Sequence, residues 1–269
     1  MSVPGDRQEP AKKAAASQSA NFNLLRLSNI VAYVVTVAVN SLAGAVGLNG
    51  ISTGAVSDLY PTLIAPAGIT FSIWGVIYVL LLLFTIYQAL PSNRDAAFQR
   101  KVSYLFVLSC AVNVVWLFLW HYGQIVLSVV LMFLLLATLI LIYLRLGIGK
   151  AEVPSRERWF VHLPFSVYLG WITVASIANV AAALVSQGYD GLFLGEITWT
   201  VLVIVVALII TLLVIATRKD IGYSAVIVWA LLGIIIKQTG VQAIVTAAGA
   251  SIVIIVVALA AVRLMWGRS

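Results

Sequence analysis

The chain has 269 residues, 62% of them hydrophobic and only 9% charged, with a net charge of +7. A soluble domain carries about 25% charged residues, so a water-facing fold is excluded and an integral membrane protein is indicated. A single cysteine, Cys110, excludes an internal disulfide and any multi-cysteine metal site.

In chain order, residues 1–28 are polar and rich in Ala, Ser, Gln and Lys, which reads as a disordered cytoplasmic tail. Runs close to the roughly 20 residues that span a bilayer then fall near 29–48, 67–90, 102–121, 124–144, 160–185, 195–216, 222–238 and 241–265. The first is too long for the roughly 7–15-residue core of a signal peptide, so it reads as a retained helix. The third and fourth are joined only by a few residues around His121–Gln124 and must be antiparallel. The seventh is short and ends in Lys237. The predicted fold class is all-α: a polytopic membrane helix bundle of about eight transmembrane helices.

Charge placement supports this order. With eight spans and both termini on one side, every Lys and Arg except Lys237 falls on that side, while the opposite loops hold Asp58, Asp190 and Glu196. By the positive-inside rule this is a multi-pass cell-membrane protein with cytoplasmic N- and C-termini. The basic loops face anionic lipid, so membrane lipid accounts for the charge and no nucleic-acid partner is called for. Trp159 and Trp266 at inner helix ends, and Trp120 and Trp199 at outer ends, fit interfacial aromatic belts. No internal repeat is evident, which counts against a transporter built from inverted halves.

Three spans carry aromatic stripes. Phe71, Trp74 and Tyr78 sit at i, i+3 and i+7 of the second span; Asn113, Trp116 and Trp120 repeat the spacing on the third; Tyr168, Trp171, Ala175 and Asn179 share a face of the fifth. A lipid-exposed asparagine would leave its amide unpaired, so Asn113 and Asn179 should face other helices and bring the aromatics inward with them. At 1.5 Å per residue Trp74 lies about 12 Å below the outer boundary, a depth at which the three faces can meet. The loop of residues 49–65 lies above that point as a lid. Packing alone also produces aromatics at helical spacing, and intramembrane Asn also serves as interhelical glue. Asn40 reads as such an interhelical hydrogen bond, His121 as a helix-end residue near water, and His162 as lying near the inner interface. Neither histidine has a ligand-spaced partner for a metal. Leu141, Tyr143 and Arg145 match the loose cholesterol-contact pattern. No transmembrane Asp or Glu offers proton coupling or a retinal counter-ion to Lys237.

At these residues the chain resembles the TspO/MBR family, the tryptophan-rich sensory or translocator proteins. The family's second-helix motif, P-P-x-W-x-F-x-x-x-W-x-x-L-Y, aligns with Pro66, Trp74 and Tyr78. Its third-helix N-x-x-W aligns with Asn113 and Trp116, and its fifth-helix motif with Tyr168, Leu169, Trp171, Ala175 and Asn179. Tyr60 and Leu63 stand where the family's lid has Tyr-x-x-Leu. The departures are Gly68 in place of the first motif tryptophan, Phe71 displaced by one position, Val167 in place of the proline before Tyr168, and a shorter lid without Lys-Pro.

The resemblance covers residues 29–186 and implies a five-helix domain there, with three additional transmembrane helices over 187–269. It implies a pocket between the helices for porphyrins or other flat hydrophobic molecules. The ligand-binding set is then Trp74, Tyr78, Asn113, Trp116, Tyr168, Trp171, Ala175 and Asn179, under a lid of Tyr60, Leu63 and Pro66. No catalytic residue and no resident cofactor is implied beyond a tetrapyrrole ligand. The resemblance also implies a homodimer, without a small-residue motif that assigns its face. Two rivals stand beside this reading: a transporter that moves a neutral amphipathic solute through the eight-helix bundle, and an enzyme that degrades the bound tetrapyrrole in light.

Overall fold

The computed structural model describes residues 8–189 and 194–266, with side chains over 23–189 and 194–264. Among these residues the chain is helical, with no strand. Eight long helices account for the eight predicted spans: α1 Gln8–Ala45, α2 Ile73–Ala89, α3 Leu105–His121, α4 Ile125–Leu146, α5 Leu163–Ser186, α6 Glu196–Arg218, α7 Ile221–Lys237 and α8 Gln242–Trp266. Six of the resulting segments are long and apolar enough to cross a bilayer: Asn23–Ala45, Gly68–Ala89, Ile125–Leu146, Ser155–Ser186, Glu196–Arg218 and Gln242–Leu264. The helices α3 and α7 are apolar but only 17 residues long, about 26 Å each at 1.5 Å per residue.

One boundary departs from expectation. Helix α1 begins at Gln8, inside the segment expected to be a disordered tail. The run from Ala11 to Ala20 is rich in Ala, Lys and Gln, all strong helix formers, so local propensity carries α1 beyond its apolar part. Residues 1–7 of that tail lie outside the described residues.

Helices α1 to α5 close into a ring in the order α1, α3, α4, α5, α2 and back to α1. At the end where Arg94, Arg100, Arg145 and Arg158 lie, the ring is plugged. Phe84, Phe106 and Phe165 are fully buried there, with Phe84 ring centroids 5.1 and 5.0 Å from the other two. A polar lock lies beside them: Asn29 Nδ2 donates to Gln88 Oε1 at 2.8 Å, and Gln99 Nε2 to the Gln88 carbonyl at 2.9 Å. Filling this basic end leaves space only toward the opposite end.

The last three helices pack beside the ring, and α7 is the one that lies against α5. Two glycines allow the close approach. A Cβ on Gly170 would lie 3.0 Å from the Tyr223 carbonyl oxygen, and one on Gly222 would lie 2.7 Å from Ser166 Oγ. Asp220, buried, starts α7 as its N-cap: its Oδ1 accepts from the Tyr223 backbone N–H at 3.1 Å and from Ser166 Oγ, and its Oδ2 from Tyr143 Oη at 2.8 Å. Tyr143 therefore points inward while Leu141 and Arg145 are exposed, so the three do not form one lipid-facing cholesterol contact.

Candidate ligand-binding site

Above the phenylalanine plug the ring encloses a cavity. A turn at Gly47 directs the chain from α1 into its cover. Gly47 has φ +81°, and a Cβ there would lie 2.5 Å from the Ile51 backbone nitrogen, so only glycine makes this turn without strain. The short helix Thr53–Asp58 follows, capped by Ser52 Oγ accepting from the Ala55 N–H at 3.2 Å. The chain then passes Pro66 and enters α2 through the 3-10 turn Gly68–Ser72.

His121 fastens this cover to the end of α3. Its Nδ1 lies 3.0 Å from Asn49 Oδ1 and its Nε2 3.0 Å from Thr53 Oγ1, while Asn49 Nδ2 donates to the His121 carbonyl at 2.7 Å. The residue is buried, which corrects its reading as a helix-end histidine near water. The expected lid removes it from solvent, through contacts with Asn49 and Thr53 that the sequence does not show.

The cavity beneath is lined by Thr53, Ser57 and Pro66 of the cover, Phe71 and Trp74 around the start of α2, Trp116 and Trp120 of α3, and Trp171, Val174, Ala175, Ala178 and Asn179 of α5. Four of the chain's eight tryptophans thus meet in one place. Trp74 and Trp171 are edge to face with centroids 6.2 Å apart, and Phe71 meets Trp171 at 5.8 Å and 81°. Trp116 and Trp120 stack at 5.8 Å. The cavity is partly open, and its interior space is about 30 Å³, enough for one or two water molecules.

Of the predicted site residues, Trp74, Trp116, Trp171, Ala175, Asn179 and Pro66 line this cavity. The others stand back from it. Tyr78 stacks behind Trp74 at 5.7 Å, and Tyr168 meets Trp74 edge-on at 6.1 Å. Asn113 is fully buried and accepts from Asn40 Nδ2 at 2.8 Å, so Asn40 makes the expected interhelical bond. Tyr60 lies over Trp120 with ring centroids 6.4 Å apart. Leu63 faces a separate crevice with Tyr189 and Trp199.

Trp120 corrects another expectation. It is buried and its Nε1 donates to the Thr53 carbonyl at 3.2 Å, so it is a pocket wall and not a belt residue. Trp159, by contrast, is exposed. The side chain of Trp266, and Asp190, lie outside the described residues. Thr53, Ser57, Val174 and Ala178 were not singled out in the sequence. Val174 and Ala178 on α5 have no signal beyond their place on the Trp171 face.

Hydrogen bonding divides the indoles. Trp116 Nε1 donates to Asn179 Oδ1 at 2.8 Å, and Asn179 Nδ2 donates to Ser128 Oγ at 2.9 Å. Asn179 is therefore a brace between α3, α4 and α5 as well as part of the wall. Trp171 Nε1 is buried without a hydrogen-bond partner among the described residues. No charged side chain lines the cavity. The site can stack an aromatic molecule, one of its rings carries an unpaired N–H, and it has no charge to neutralise an ion.

A family model described as TSPO-like protein matches residues 26–261. The match takes in α6, α7 and most of α8 as well as the five-helix ring. No curated protein and no solved structure matches the chain.

Proposed function

Because the chain belongs to the TSPO-like protein family, we propose that it is a sensory or translocator-type membrane protein that binds a flat hydrophobic ligand, of the porphyrin or related class, among its tryptophans. The observation that carries this reading is the Trp171 indole N–H. It is a buried donor without an acceptor, on the wall of a cavity made of other aromatic rings. Such a group is costly in a low-dielectric interior, and a ligand acceptor relieves that cost. Trp74 and Phe71 supply stacking faces, and Trp116, Ala175 and Asn179 shape the wall.

The space of about 30 Å³ is too small for a tetrapyrrole. A tetrapyrrole needs the cover and Phe71 to move aside, so binding is coupled to motion of residues 49–72. The same reading puts the protein in the cell membrane with both termini cytoplasmic, supported by a sequence order in which eight spans leave every Lys and Arg except Lys237 in segments of one side.

The test is quenching of intrinsic fluorescence by protoporphyrin IX in reconstituted protein. Trp171→Phe keeps a ring of similar shape without the N–H and should weaken binding about tenfold, the value of one buried hydrogen bond. A folded variant with unchanged affinity removes the pocket. Loss of fluorescence that continues only in light, with a new absorbing product, would instead identify degradation.

A further inference from the structure

We propose that α7 positions the roof of this pocket, through Trp229, Gly233 and Lys237, and thereby sets the rate at which ligand enters and leaves. This rests on the pocket reading above. The three residues are spaced by four, so they form one stripe along α7. Each meets a different part of the cover. Trp229 Nε1 donates to the Thr70 carbonyl at 2.9 Å, the Ala67 N–H donates to the Gly233 carbonyl at 3.0 Å, and Lys237 Nζ pairs with Asp58 Oδ1 at 2.7 Å.

These contacts bracket the roof. Ala67 and Thr70 lie within the segment from Pro66 to Phe71, each next to one of its cavity-lining ends, and Asp58 ends the short helix that contributes Thr53 and Ser57. Gly233 is what allows the roof to seat. It is buried, and a Cβ there would run into Thr70 Oγ1 and lie 2.9 Å from Pro66 Cβ.

The stripe is held in register from its other end. Asp220 ties the start of α7 to Tyr143 of α4 and Ser166 of α5, and Gly170 lets α5 lie directly against α7. Trp171 is the next residue on α5. The roof and the wall that holds the unpaired donor are thus both registered against one helix. The Lys237–Asp58 pair is partly exposed, at 29% and 63%, so it is the weak, salt-sensitive member of the set. The two contacts at Trp229 and Gly233 carry the hold.

Trp229, Gly233 and Lys237 are positioning residues: none of them lines the cavity. The test uses the full-length protein in lipid nanodiscs, with stopped-flow quenching by protoporphyrin IX and amide exchange in the ligand-free protein. Trp229→Phe and Gly233→Ala should each raise the association and dissociation rates together by about tenfold, as expected for the loss of one roof hydrogen bond or its seat, with much less change in affinity. Exchange at the Ala67 amide should quicken in parallel. Lys237→Gln should change the rates only about two- to threefold and abolish their salt dependence. A purely structural role would lower affinity or folded yield without this paired rise. Trp229→Phe carries the test if Gly233→Ala does not fold. Wild-type rates and wild-type Ala67 exchange in Trp229→Phe overturn the proposal. If Trp171→Phe weakens protoporphyrin IX binding while the α7 variants keep wild-type rates, the pocket stands and the α7 role falls. If Trp171→Phe changes nothing, the pocket reading fails and takes the gating role with it.

Discussion

Replacing Asp220 with alanine should detach the C-terminal helices from the ring. The carboxylate is buried and accepts three hydrogen bonds, from Tyr143 Oη, Ser166 Oγ and the Tyr223 backbone N–H. Alanine leaves two hydroxyls without their acceptor, at about 1–3 kcal/mol each, and removes an N-cap of about 1 kcal/mol. These losses share one network and are not additive, so the expected destabilisation is about 3–5 kcal/mol. For a chain of this size that corresponds to a fall in Tm on the order of 10 °C. Asp220→Asn keeps an oxygen for the cap and one hydroxyl, and should cost about a third as much, chiefly by losing charge-assisted strength. The assay is thermal unfolding in detergent followed by circular dichroism, with all three proteins in the same micelle. An Asp220→Ala protein that melts with wild type would show that the carboxylate does not tie α7 to the ring, whereas an Asn variant as damaged as the Ala variant would show that the tie needs both carboxylate oxygens and their charge.

Three other perturbations check separate parts of the structure. Asn179→Leu strands the Trp116 N–H and removes the amide that donates to Ser128 Oγ, whose own hydroxyl still donates to the Ile125 carbonyl, and should cost about 1–3 kcal/mol in the same melting assay. His121→Ala removes both side-chain ties to Asn49 and Thr53 and should expose residues 48–58 to limited proteolysis, with global stability lowered by only about 1–2 kcal/mol. Gly149→Ala should sharply reduce folded yield in detergent. Its φ is +78°, and a Cβ would run into the Arg218 carbonyl oxygen at the end of α6.

The helices were legible because the bilayer imposes a length and a composition, and all eight predicted runs end within a few residues of the helices that form. The asparagine argument was legible for the same reason: an amide cannot face lipid, and both Asn113 and Asn179 are buried. What sequence could not show is which partner each amide meets. Asn113 is taken by Asn40, 73 residues away, and drops below the cavity. Trp120 carried two readings, a stripe with Asn113 and Trp116 and a belt position at a helix end. The stripe prevails because the cover folds over that end of α3 and supplies the Thr53 carbonyl to its indole. Asp220 had a local signal, an N-cap residue before an apolar run. Its other two partners are 77 and 54 residues away, so its burial was not readable. The role of α7 was equally hidden, since Trp229, Gly233 and Lys237 form a stripe only once the residues opposite them are known.

The tryptophans themselves say what chemistry the ligand should carry. Trp116 and Trp120 both have acceptors from the protein, and Trp171 has none among the described residues. Nothing in the surrounding wall is charged, so the missing partner is a neutral acceptor and not an anion. A ligand that brings one recovers the desolvation cost of the N–H, about 1–3 kcal/mol, or roughly 5–150-fold in affinity. Fluorenone and fluorene separate this contribution from shape, because the two flat tricycles differ by a carbonyl oxygen. Equilibrium binding to reconstituted protein should favour fluorenone by that factor, and Trp171→Phe should bring the two together by weakening fluorenone alone. Equal binding of the two by the wild-type protein would mean that the indole N–H plays no part in recognition. An advantage that survives in Trp171→Phe would place the ligand carbonyl against some other donor.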